Sequence, residues 1–114
     1  MTFVSVLMKK RGYKSISGKE LSNLINRNND LVIIDVRDLD EYNLGHLPQS
    51  MNMPLDNFNY NLNNLYYYRN TPILVYCQKG IRSSEAADIL VNQGFTKVYT
   101  IKGGLNNYKG KLVY

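Results

Sequence analysis

Apolar residues fall into short dense runs separated by polar, glycine- and asparagine-rich connectors. Residues 31–36 (LVIIDV) and Ile73–Tyr76 (ILVY, introduced by Pro72) are near-continuous and rich in β-branched side chains, the pattern of strands covered on both faces. Residues 97–101 (KVYTI) predict a further strand before the turn at Gly103-Gly104, and residues 51–53 a short one before Pro54. Between the strands the spacing turns helical. Ser17 and Glu20 form a capping box ahead of Leu21, Leu24 and Ile25. Residues 38–44 predict a short helix closed by Gly45, and the Asn- and Tyr-rich residues 57–70 a helix–turn connector. Ser83, Ser84 and Glu85 are read as opening another helix, closed by Gly94. It turns Ala86, Ala87, Ile89, Leu90 and Val91 inward and Glu85, Asp88 and Asn92 outward. Strands alternating with helices predict an α/β fold, a central and mostly parallel sheet with helices on both faces.

Composition narrows this. The 114 residues suit one domain with a core of its own, and 44% apolar with 20% charged residues is an ordinary globular balance. One cysteine and one histidine exclude an intrachain disulfide, Cys/His zinc sites and CxxC dithiol chemistry. A lone thiol points to a reducing compartment, so a cytoplasmic location is expected. The net charge is +5, with Lys9, Lys10, Arg11, Lys14 and Lys19 crowded at one end against Glu20. A nucleic-acid-binding domain spreads basic residues over a face, so no nucleic-acid partner is expected. Residues 1–14 are read as a basic N-terminal extension and 15–114 as the domain. Residues 2–8 (TFVSVLM) are too few to span a membrane, and their basic neighbours follow rather than precede them, unlike a signal peptide. No membrane segment in the chain as given, no cofactor and a monomeric state are the corresponding expectations.

Candidate chemistry concentrates at Cys77-Gln78-Lys79-Gly80-Ile81-Arg82-Ser83. A cysteine at the carboxyl end of a buried parallel strand sits where open α/β sheets place their ligands. The loop runs into a helix N-terminus, whose free N–H groups and dipole favour an anion. Gly80 lets successive N–H groups converge, and Lys79 and Arg82 add positive charge. All three effects stabilise a thiolate, making Cys77 a nucleophile candidate activated without an adjacent base. The competing reading is a small buried hydrophobe. A packing cysteine needs no glycine, two cations and two hydroxyls in the next seven positions.

Cys-x-x-Gly-x-Arg-Ser at residues 77–83 resembles the active-site loop of the rhodanese (sulfurtransferase) family. Asp35-Val36-Arg37, Glu41-Tyr42, Gly45-His46-Leu47-Pro48 and Asn52-Met53-Pro54 are similar, in order, to that family's other signature block, and Gly94-Phe95, Val98-Tyr99 and Lys102-Gly103-Gly104 to its closing block. Gln49-Ser50 replaces the family's usual Gly-Ala, expected to alter a turn but no reacting atom. Leu105 and Tyr108 follow the Gly-Gly turn where the family often has tryptophan. The resemblance covers about residues 15–109 and implies a single-domain rhodanese. Cys77 would take a sulfane sulfur from a small anionic donor (thiosulfate, polysulfide or glutathione persulfide) as a persulfide and pass it to a thiol or cyanide. The N–H groups of Gln78, Lys79, Gly80, Ile81 and Arg82 would hold the persulfide, with Lys79 and Arg82 attracting the donor.

The loop spacing is Cys-x4-Arg, one residue shorter than the Cys-x5-Arg of cysteine phosphatases, which sets phosphatase or arsenate chemistry behind sulfur transfer. The alternative within the family is a sulfur-relay or regulatory binding module with little turnover of its own. Asp35 and Arg37 are expected to brace the cysteine loop, supported by Ser83. Glu41 is expected to pair with Arg37 or with backbone, and His46 to fix a loop by hydrogen bonding rather than to act in catalysis.

Overall fold

The computed structural model describes residues 12–27 and 30–114. The apolar residues 2–8 and the basic residues 9–11 lie outside the described residues. Five strands, β1 (Tyr13–Ile16), β2 (Val32–Asp35), β3 (Met51–Asn52), β4 (Ile73–Tyr76) and β5 (Val98–Ile101), form one sheet in the order β1-β5-β4-β2-β3. Every neighbouring pair is parallel. The helices are α1 (Gly18–Arg27), α2 (Leu39–Asn43), α3 (Phe58–Leu65) and α4 (Ile81–Asn92). Short 3-10 turns occupy Leu55–Asn57, Tyr66–Tyr68 and Gly104–Asn107.

Strand alternation divides the core in two. Ile34, Ile73, Val75 and Cys77 point to the face covered by α3 and α4, where Phe58, Leu65, Ala86, Ala87 and Leu90 are buried. Ile33, Leu74, Tyr76 and Ile101 point to the opposite face, packed by Leu21 of α1, Leu47 and Leu105. All four residues of β4 are buried, as its unbroken apolar run requires of the central strand. The α1 capping box is made in full: Glu20 N–H donates to Ser17 Oγ and Ser17 N–H to Glu20 Oε1, each at 3.1 Å.

Two elements depart from expectation. β1 draws Tyr13 and Lys14 into the sheet, pairing them with Val98 and Tyr99, out of a stretch read as basic extension. Its YKSI sequence has one fully buried residue, Ile16, with Tyr13 half-buried, too little to register as a strand pattern. The helix expected to open at Ser83 starts instead at Ile81, because Gly80 turns the chain directly into it. Among the described residues no helix is long and apolar enough to cross a membrane.

The sheet order fixes where a site can form. After β2 the chain passes outward through α2 to β3; after β4 it passes the other way through α4 to β5. The two connections diverge at the carboxyl ends of β2 and β4, leaving a crevice between them. This is the topological switch point at which parallel α/β sheets bind ligands.

Candidate active site

Cys77 follows β4 at that crevice and is 1% exposed. Its Sγ accepts hydrogen bonds from Gly80 N–H at 3.0 Å and Ser83 N–H at 3.3 Å. The thiol faces Ser83 Oγ at 3.4 Å, and the Ser83 hydroxyl donates to Gly80 O at 3.1 Å. The loop therefore closes on the sulfur. Gly80 makes this possible with φ 103°, a left-handed conformation that aims its N–H back at Sγ while starting α4. The serines that suggested a cap at position 83 instead bond back to Gly80 O, Ser84 Oγ at 2.9 Å.

The loop is clamped on two sides. On the β2 side, the Asp35 carboxylate accepts from Arg37 N–H at 2.9 Å, from Arg37 Nε at 3.0 and 3.1 Å, and from Nη2 at 2.7 Å. Arg37 also donates through Nη1 to Gln78 Oε1 at 3.0 Å and through Nη2 to Gly45 O at 2.7 Å. Burial works against the Arg37 charge, but the hydrogen bonds and negative charge of Asp35 outweigh it and hold the guanidinium protonated more firmly than usual. Asn52 Nδ2 bonds Asp35 O and Arg37 O, tying β3 to the same brace. On the β5 side, Leu105 N–H donates to Cys77 O at 2.9 Å and Asn106 N–H to Gln78 O at 3.1 Å. Gln78 Nε2 donates to Asn106 Oδ1. Gly104 sits so close beneath the loop that a Cβ there would lie 2.7 Å from Cys77 O and 2.6 Å from Gln78 O.

Glu41 takes a different partner from the one expected. Its carboxylate is bidentate with Arg82, Nη1 to Oε2 at 2.7 Å and Nη2 to Oε1 at 2.9 Å, and Oε2 also accepts Asp38 N–H at 3.0 Å. The backbone half of the expectation holds; the Arg37 half does not, because Asp35, Gln78 and Gly45 already engage that guanidinium. The hydrogen bonds from Arg82 first, and that from Asp38 after them, bring the Glu41 carboxyl from its ordinary 4.5 to about 2. Hydrogen bonding to Glu41 likewise raises the Arg82 pKa.

The sequence-predicted residues Cys77, Gln78, Lys79, Ile81 and Arg82 come together with Glu41 around an open cavity of about 390 Å³. Lys79 is exposed, and Ile81, 78% exposed, forms an apolar rim. Gly80, Ser83, Asp35 and Arg37 stand behind this wall. His46 lies outside it: Nδ1 is 2.8 Å from Tyr42 O and its ring stacks on Tyr42 at 3.7 Å. Sequence reasoning missed the Glu41–Arg82 pair and the seat under the loop formed by Gly104, Leu105 and Asn106. Only the Gly103-Gly104 turn signalled the latter. Among the described residues no group of His, Cys, Asp or Glu is arranged to hold a metal ion.

Comparison with known proteins gives this geometry a lineage. The thiosulfate sulfurtransferase GlpE of Coxiella burnetii is 36% identical over 102 residues, covering 85% of this chain and 88% of that one. A tRNA uridine(34) hydroxylase of Buchnera aphidicola is 35% identical over 97 residues, covering 82% of this chain. The match spans 31% of the hydroxylase, so the chain corresponds to under a third of that protein. The crystal structure of a rhodanese-related protein from Thermoplasma volcanium superimposes with a TM-score of 0.78 at 25% identity, covering 89% of this chain and 98% of the other. A rhodanese-like domain protein of Staphylococcus aureus gives 0.77 at 28% identity, over 88% and 96%. The sequence model of the rhodanese-like domain matches residues 17–111, and the chain belongs to that family.

Proposed function

We propose that the protein is a sulfurtransferase that moves sulfane sulfur from an anionic donor to a thiol or cyanide through a persulfide on Cys77. The observation that carries the reading is the pair of N–H donors, Gly80 and Ser83, aimed at Sγ at 3.0 and 3.3 Å. Two fixed donors favour negative charge on that sulfur. On deprotonation Sγ has no proton to give to Ser83, whose hydroxyl is free to turn from Gly80 O and donate to the thiolate.

With thiosulfate, the Cys77 thiolate attacks the outer sulfur. The S–S bond of the donor breaks, its electron pair leaves with sulfite, and Cys77–S–S⁻ remains. The N–H groups of residues 78–82 are the donors proposed to hold the added sulfur, with the Lys79 and Arg82 side chains lining the mouth. An acceptor thiolate then attacks the terminal sulfur of the protonated persulfide and releases the Cys77 thiolate. The chain contains one cysteine, so the acceptor thiol comes from another molecule. The open cavity suits protein or larger thiol acceptors. A cytoplasmic monomer acting without a cofactor or nucleic acid completes the reading.

The test is to incubate the protein with thiosulfate, polysulfide or glutathione persulfide and record intact mass and cyanide-releasable sulfur. A gain of one sulfur that Cys77→Ser abolishes is expected. No gain with any donor rules the reading out. A gain in mass without turnover to any small acceptor would make the protein a sulfur relay loaded and unloaded by partners.

A further inference from the structure

We propose that Glu41 is a specificity-determining residue that turns the site away from dianionic donors such as thiosulfate and toward monoanionic organic persulfides. The inference rests on the Cys77 persulfide reading and assigns that site its donor class. Glu41 belongs to α2, on the opposite side of the crevice from the cysteine loop, yet its carboxylate forms part of the cavity wall beside Cys77, Lys79 and Arg82. It is held there from two directions, by the Asp38 N–H behind it and by the Arg82 guanidinium in front. A carboxylate so fixed does not swing aside when a ligand enters. It is also ionised throughout the physiological range, since its pKa is brought to about 2.

The consequence is a change in the charge of the site. The loop sequence alone offers Lys79 and Arg82 to an anion. In the folded protein both terminal nitrogens of Arg82 are engaged by Glu41, so a second anion finds that guanidinium already paired. Glu41, Arg82 and Lys79 together carry one net positive charge, which the Cys77 thiolate cancels. A dianion entering this wall meets the Glu41 carboxylate with Arg82 already committed to it, which leaves Lys79 as the attractive cation of the lining. Repulsion scales with ligand charge, so a persulfide with a single charge on its terminal sulfur is penalised half as much in free energy.

The remaining surface fits the organic body of such a donor. Ile81 offers an exposed apolar side chain at the rim. A second hollow of about 300 Å³, lined by Arg37, Leu44, Gly45, Leu105 and Leu112, shares Glu41 and Gln78 with the first. The two hollows adjoin at Glu41 and Gln78, and the second adds the side chains of Leu44, Leu105 and Leu112. A thiosulfate ion at Cys77 leaves those leucines uncontacted. The transfer balances once the proton is counted: the donor binds as R–S–S⁻ and takes up a proton from solvent. The Cys77 thiolate attacks the terminal sulfur of the resulting R–S–SH, the S–S bond breaks, R–S⁻ departs with the electron pair, and the proton stays on Cys77–S–SH.

The test compares two donors on the wild type and on Glu41→Gln, which keeps the shape of the side chain and an oxygen for Asp38 N–H. The donors are thiosulfate and the persulfide of N-acetylcysteine methyl ester, whose only charge is on sulfur. Removing the carboxylate charge is expected to lower KM for thiosulfate ~10-fold and for the ester persulfide ~3-fold, with smaller changes in kcat. Added salt should narrow the difference between the donors in the wild type. Glu41→Ser carries the same expectation should Glu41→Gln not fold. Equal KM changes for the two donors, or a higher KM for thiosulfate, overturn the inference while sulfur still loads on Cys77. Failure of both donors to load Cys77 overturns the persulfide reading and this inference with it.

Discussion

Asp35 and Arg37 form a buried ion pair, 0% and 4% exposed, at the point where the cysteine loop leans on β2. Replacing Asp35 by Asn tests how much of the fold depends on it. The variant keeps the side chain's size and can still accept Arg37 N–H through Oδ1. It removes the negative charge and places an amide NH₂ against Arg37 Nη2, donor against donor. The other acceptors of Arg37, Gln78 Oε1 and Gly45 O, are neutral and cannot compensate the buried cation. Breaking a buried pair from one side costs ~3–5 kcal/mol. A domain of this size has about 5–15 kcal/mol in total, so the variant loses roughly a fifth or more of its stability. The melting temperature should fall by ~15 °C. Urea titration followed by far-UV circular dichroism gives the number, read at an unaltered m value. The second arm is Arg37→Met in the Asp35→Asn background, which removes the stranded cation and should recover ~1–2 kcal/mol relative to Asp35→Asn alone. A single variant within 1 kcal/mol of the wild type, or a double variant less stable than the single, would refute the argument.

Two glycines should respond differently to alanine. At Gly80 a Cβ has room, its nearest neighbour being Gly104 N at 3.7 Å, so only the φ of 103° opposes it: a loss of ~1–2 kcal/mol, with slower alkylation of Cys77 as its N–H turns from Sγ. At Gly104 the φ of 70° is joined by contacts of 2.6 and 2.7 Å with backbone carbonyls, so Gly104→Ala should cost more than Gly80→Ala by thermal melting and should disturb the loop by NMR. Gln49 holds φ 66° where the family's usual sequence has glycine, and Gln49→Gly should raise stability by ~0.5–1 kcal/mol in the same melts. Glu41 has a lowered pKa in the fold, so its pair with Arg82 stabilises fully above pH 4.5 and is lost as pH falls toward 2. Since both side chains are about a third exposed, the loss is at most ~1 kcal/mol, and Glu41→Gln should flatten that part of a stability–pH curve.

The strands that dominate the sheet were legible because their chemistry is local. Residues 31–36 and Ile73–Tyr76 are apolar on both faces, and such runs have few places in a small domain other than the middle of a parallel sheet. β1 was not legible, since Lys14 and Ser15 are exposed and the strand exists only because β5 is there to pair with it. The helix after the cysteine was misplaced by two residues for a similar reason. Serine hydroxyls ordinarily cap, but here a glycine at φ 103° starts the helix and both hydroxyls serve its carbonyl. The cysteine loop could be read as a unit, because the residues that surround Sγ lie within seven positions of one another. The partner of Glu41 could not: Arg82 is 41 positions away, and nothing in either segment's local pattern distinguishes it from the nearer Arg37.

That distinction divides the work of the two arginines. Arg37 is buried, satisfied by Asp35, and spends its remaining donors on Gln78 and Gly45; it sets where the loop lies and offers no charge to a ligand. Arg82 is at the surface of the cavity, but Glu41 decides how much of its charge a ligand feels. Both carboxylates come from the β2 side of the switch point, Asp35 at the strand's end and Glu41 on the helix that follows. The loop after β4 therefore supplies Cys77 and the N–H donors aimed at its Sγ, while the segment after β2 supplies the side chains that brace the loop and pair its arginine. A change confined to residues 35–41 is therefore expected to alter the surroundings of Cys77 without touching any residue of the cysteine loop.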